Sequence, residues 1–133
     1  MSKALIYAVT STQQLVEDNG TVSFDTIVRK SGNALNLWGG NVMTSEAGYY
    51  RVNVNVTVLS TAAEDVEAIV MLNGVAVPGA SASFTSTAAN QYGTLTIPCI
   101  IRTYGCAMSA PSVITVQVNN AATVTNAAIE VVH

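Results

Sequence analysis

Charge is what this 133-residue chain has least of: 10% of its residues are Asp, Glu, Lys or Arg, against roughly 25% in an ordinary soluble domain. The five basic residues, Lys3, Arg29, Lys30, Arg51 and Arg102, form no patch in sequence and the formal net charge is −3, so a nucleic-acid partner is not expected. Histidine occurs once, as His133. A Ser-His-Asp triad therefore has no base to use, and no G-x-S-x-G frames a nucleophile. Cysteine occurs twice, as Cys99 and Cys106; in a reducing compartment such a pair reads as buried thiols rather than a bridge. With a single imidazole, no ligand set for zinc is in view. No apolar run approaches the ~18 residues of a membrane helix. The stretch from Met1 to Val9 lacks the length and cleavage site of a signal peptide. The absences give these expectations: no catalytic residues, no cofactor, no metal, no membrane contact, and synthesis in the cytoplasm.

What is abundant is apolar and neutral-polar material. Half of the residues are hydrophobic and the mean hydropathy is +0.40. Polarity is carried by Asn, Thr and Ser, which suit strand surfaces and subunit contacts, where charge would cost desolvation. A single domain over residues 1–133 is long enough for its own core, and the apolar excess points to an oligomer.

The longest clean alternation is Gly48 to Ser60. Tyr50, Val52, Val54, Val56 and Val58 share one face, and Arg51, Asn53, Asn55 and Thr57 the other, which is the period of a strand with one buried side. At ~3.3 Å per residue it would run roughly 35 Å. Ala4–Thr10, Thr21–Lys30, Ala34–Trp38, Asn41–Thr44, Asp65–Leu72, Tyr92–Tyr104, Ser112–Val118 and Asn126–Val132 read as further strands, with Ser11 to Gln14 a polar break. Both phases of Asp65–Leu72 are apolar, so both of its faces are expected to be covered. Asn73-Gly74 between apolar runs predicts a type I′ hairpin, with Pro78-Gly79 ending its second arm. Residues 80–90 fit an edge strand, a loop or both. Pro98 has no N–H for a ladder, so its strand is bulged or lies on an edge there. No helical period is present, and the fold class is all-β, a sandwich or barrel.

Three stretches, Gly20-Thr21-Val22-Ser23-Phe24, Gly48-Tyr49-Tyr50-Arg51-Val52 and Leu72-Asn73-Gly74-Val75-Ala76-Val77-Pro78-Gly79, resemble in order and spacing the complement globular-head and tumour-necrosis-factor-like superfamily, in particular its bacterial and phage branch. The resemblance implies a ten-stranded jelly roll that assembles as a homotrimer, with Tyr49, Tyr50 and Tyr104 as interface candidates. The stand-alone domains of this length resemble phage head-fibre or capsid-decoration proteins, which implies a place in the virion and a major capsid protein or other virion protein as partner. The alternative is a tail-tip or receptor-binding domain for a host-surface glycan. At least part of the polar face of the long strand, which carries one charge at Arg51 and includes Asn53 and Asn55, is expected to be covered in the assembly.

Three further groups have a functional reading beside a plainer one. Glu64, Asp65 and Glu67 are an acidic cluster that could hold calcium, but no Asp-x-Asp-Gly loop frames them, and a solvated strand entrance fits better. Asp25 and Glu46 could pair as acid and base, but no sugar cleft accompanies them and exposed turn positions fit better. Trp38, beside Gly39-Gly40, could stack on carbohydrate, with core packing as the default for so large a side chain.

Overall fold

A computed structural model describes residues 4–103 and 112–133. Among them are twelve strands: β1 (Leu5–Val9), β2 (Gln14–Val16), β3 (Gly20–Thr21), β4 (Thr26–Ser31), β5 (Leu35–Trp38), β6 (Asn41–Thr44), β7 (Gly48–Ser60), β8 (Asp65–Leu72), β9 (Val75–Thr85), β10 (Tyr92–Thr103), β11 (Ser112–Val118) and β12 (Ala122–Val132). Ten have four residues or more; β2 and β3 are short additions. The strands form two antiparallel sheets. The first runs β10-β7-β12-β1-β4, with β2 on β12; the second runs β5-β6-β11-β8-β9, with β3 on β11. The chain is an all-β jelly-roll sandwich.

Strand β7 has the bounds and the phase that its alternation predicts. Tyr50, Val52, Val54, Val56 and Val58 are buried, and the strand lies between β10 and β12 with long registers on both sides. Facing it across the sandwich are Val66, Ala68 and Val70 of β8 and Ile114, Val116 and Val118 of β11, also buried. This mostly Val and Ile layer is what β-branched side chains fill well on a pleated surface.

The Asn73-Gly74 turn forms with φ of 52° and 81°, as a type I′ hairpin requires. The Asn73 side chain adds a second function, its Oδ1 accepting from Val113 N at 2.8 Å. Beyond the turn, β9 does not end at Pro78-Gly79. Its register with β8 shifts between Ile69 and Met71, and Gly79, at φ 78°, takes the irregular step. The strand then continues to Thr85. Pro98 lies on a free edge: β10 pairs only with β7 among the described residues, without a register break.

The expected strand Thr21–Lys30 is two strands in different sheets. Val22 N still donates to Val116 O of the second sheet at 2.8 Å, whereas Asp25 N donates to Val9 O of the first at 3.1 Å. Val22 and Phe24 are therefore buried while the whole of β4 is exposed. The expected polar break is present over Ser11 to Gln13, and β2, which begins at Gln14, pairs Val16 with Ala122. On β8, Glu67, Ile69 and Met71 are half-buried on the outward face rather than covered. Trp38 departs from the core default altogether, being 74% exposed.

Candidate subunit interface

The outward face of the first sheet is built in rows by the registers of β7. Arg102 stands across from Tyr49, Ile100 across from Arg51, and Pro98 across from Asn53. On the other side of β7, Arg51 faces Val132 and Asn53 faces Glu130, and Glu130 faces Tyr7 of β1. An apolar and aromatic set, Tyr49, Ile100, Val132 and Tyr7, is thus interleaved with Arg51, Arg102 and Glu130.

Several of these side chains are already held. The Arg102 guanidinium lies 5.1 Å from the Tyr49 ring centroid, within cation–π range, and its Nη1 donates to the Tyr49 hydroxyl at 3.3 Å. Asn53 Nδ2 donates to Glu130 Oε1 at 3.1 Å. Asn55 is more open and accepts a long 3.5 Å bond from Thr96 Oγ1.

Ile100, 67% exposed, stands on β10 at the edge of this face. It borders a hollow of about 340 Å³ lined also by Tyr49, Tyr50, Arg51, Val132 and His133. On its other side it borders an apolar hollow of about 310 Å³ under Leu72, Val75 and Pro78. A large apolar knob between two hollows is the shape of a contact anchor in a protein interface. Sequence reasoning did not select Ile100, although a signal existed: it is the apolar residue out of phase with Leu95, Ile97, Cys99 and Ile101.

The tyrosine pair has to be separated. Tyr49 is 62% exposed, but Tyr50 is fully buried in the chain's own core and has no surface to offer a neighbour. Tyr50 OH donates to Glu46 O at 2.8 Å and accepts from Thr44 Oγ1 at 2.6 Å. Burial pushes its hydroxyl pKa above the ordinary value, opposed by the Thr44 hydrogen bond. His133 stacks on the same ring at 4.5 Å between centroids and 17° between planes. The imidazole in turn lies where a side chain at Gly48 would begin, and the φ of +144° there strains any residue but glycine. Tyr104 lies outside the described residues, as does Cys106.

The remaining candidates resolve into local anchoring. Asp65 Oδ1 accepts from Thr85 Oγ1 at 2.7 Å, and no cluster of three or more His, Cys, Asp or Glu side chains suited to a metal stands among the described residues. Asp25 accepts from Ser11 N at 2.9 Å and Ser11 Oγ at 2.7 Å. These bonds, with one from Thr26, hold its carboxyl below the ordinary value. Glu46 contributes its backbone carbonyl to Tyr50 and to Thr103 Oγ1. Cys99 is half-buried, and burial pushes its thiol pKa up, away from nucleophilic reactivity. No helix among the described residues is long and apolar enough to cross a membrane.

No protein-family model matches the chain and no curated protein matches it in sequence. Solved structures do. Murine APRIL superimposes with a TM-score of 0.78 at 15% identity, over 98% of each chain. The globular domain of zebrafish complement 1qA gives 0.68 at 6% identity, over 98% of this chain and 95% of that one. The vertex protein P5 of phage PRD1 gives 0.63 at 15% identity, over 97% and 94%. At such identities the likeness is one of fold, and the chain carries the jelly roll common to TNF-like and complement globular-head structures.

Proposed function

We propose that the chain is a non-enzymatic structural protein of a phage virion, a homotrimer that decorates the capsid or forms part of a head fibre. The observation that carries the assembly is Ile100, a knob between two hollows on a face where Tyr49 and Val132 also lie, in a chain with few charges to keep copies apart. The likeness to a phage vertex protein supports the setting. In the trimer, Tyr49, Ile100 and the Asn53–Glu130 pair meet a neighbouring copy, and Asn55 lies at the border of the contact. Asn53 enters the contact with its amide already paired, Nδ2 donating to Glu130 Oε1.

Mass photometry of the purified chain tests the assembly: a trimer at micromolar concentration is the expected result, and a clean monomer ends the proposal. Co-sedimentation with capsids that lack the protein tests the setting. Saturable capsid binding supports decoration, whereas binding to host cells without capsid binding supports the tail-tip receptor-binding alternative.

A further inference from the structure

Trp38 is the only tryptophan of the chain and, at 74%, the most exposed large hydrophobic residue among those described. It is nevertheless firmly placed. Strand β5 buries Leu35 and half-buries Leu37 on its inner side, leaving Asn36 and Trp38 together on the outer side, about 7 Å apart along the strand. Across the hairpin, Asn41 stands opposite Trp38 and Met43 opposite Asn36. Phe24 N donates to Gly40 O at 2.9 Å and so pins the turn to the core.

The polar groups around the indole are held too. Asn36 Oδ1 accepts from Lys30 Nζ at 2.6 Å and Asn36 Nδ2 donates to Asn33 O at 3.2 Å. Lys30 meets this amide rather than a carboxylate of the described chain, and its ammonium retains further donor capacity. Asn41 Nδ2 is turned toward Gly39 O at 3.4 Å, leaving its amide oxygen open. The indole N–H has no partner among the described residues.

We propose that Trp38, Asn41, Asn36 and Lys30 form a binding platform for a pyranose glycan that carries carboxylate groups. An indole face is apolar and polarisable, with a donor at its edge, and so matches the C–H face of a sugar ring whose rim bears hydroxyls. The amides supply a donor and an acceptor at that rim. An apolar protein partner would strand the amides and the ammonium without water, which costs free energy. Lys30 decides the ligand class by charge, since a carboxylate on the adjoining sugar finds an ammonium with no carboxylate partner in the described chain. Pre-held side chains lower the ordering cost of binding. The platform stands on the β4–β5 side of the sandwich, whereas Ile100 is on β10, at the other end of the first sheet. Its residues are separate from those proposed for the trimer contact.

Because no second tryptophan is present, indole fluorescence of the full chain reads this site alone. We would titrate with trigalacturonate, neutral cellotriose and the cationic glucosamine trimer. The expected result is a saturable change with trigalacturonate, a weaker one with cellotriose and none with the glucosamine trimer. By calorimetry, Trp38→Ala abolishes binding without lowering the thermal midpoint, and Lys30→Ala brings trigalacturonate down to the level of cellotriose. The proposal is overturned by the absence of a saturable change with all three at millimolar concentration, or by binding that survives Trp38→Ala. An emission already shifted to the blue in the assembled protein also overturns it, because the ring is then covered by another copy.

Discussion

The two faces of β7 are made from the same thirteen residues and meet opposite fates. Inward, Tyr50 and four valines reach 1% exposure or less, and every polar atom of Tyr50 is paired. Outward, Tyr49, Arg51 and Asn55 stay open, Tyr49 held by Arg102 through a cation–π contact and Asn55 by one long hydrogen bond from Thr96. Tyr49 and Tyr50 are adjacent and chemically identical, yet one closes a core and the other presents a ring to whatever comes next. The inner face accounts for the stability of the chain, and the outer face is the one proposed for its association.

Mutations can break this division, and their expected effects on the stability of the single chain fall in a clear order. Tyr50→Ala is the most severe, removing a buried aromatic and the platform under His133, and costs about 3–5 kcal/mol in chemical denaturation. Tyr50→Phe keeps the ring and removes only the hydroxyl between Thr44 and the Glu46 carbonyl, which Thr103 Oγ1 and Thr44 Oγ1 still serve, and costs about 0.5–1.5 kcal/mol by the same measurement. Ile100→Asp leaves the stability of the monomer within about 0.5 kcal/mol, as an exposed position should. Its effect appears in mass photometry, where the trimer gives way to monomer. A large loss of stability in Ile100→Asp with the mass unchanged would erase the distinction between the faces.

The smallest effect concerns pH. Asp25, clamped by Ser11 and Thr26, has a folded pKa below its unfolded value of about 3.9. Its contribution is therefore present above that value and is lost as pH falls through the lowered folded pKa. Carbon-13 NMR titration of the Asp25 carboxyl should show a midpoint below the ordinary aspartate range. The midpoint should return toward that range in Ser11→Ala.

The inner face was legible because alternation is a local property: Val52, Val54, Val56 and Val58 declare their phase without knowledge of any neighbour. The same logic misled where the chain changes sheets. Val22, Phe24, Thr26 and Val28 keep one period through a stretch that belongs to both sheets, so a continuous pattern hides a crossover. The size of Trp38 points to the core, but size does not report that β5 is an outer strand whose outward face is left open by the described residues. For Tyr50 the valine phase, which points to the core, outweighs the interface role that the resemblance implies. Ile100 could have been found by asking which apolar residue of β10 breaks the pattern. Its position between two hollows depends on β7, β9 and the C-terminal end of β12, which only the fold brings together.

Pro98, on its free edge, belongs to a wider pattern. The edge of β9 is interrupted at Pro78-Gly79, β5 offers only four residues, and β4 carries a register shift beside Arg29 and Lys30. Each is a known means of spoiling an open ladder. Copies of this chain crowded side by side are thereby denied the simplest way to stick, the indefinite extension of one sheet by the next. Contact through faces remains, and face contacts can close on themselves around an axis and stop.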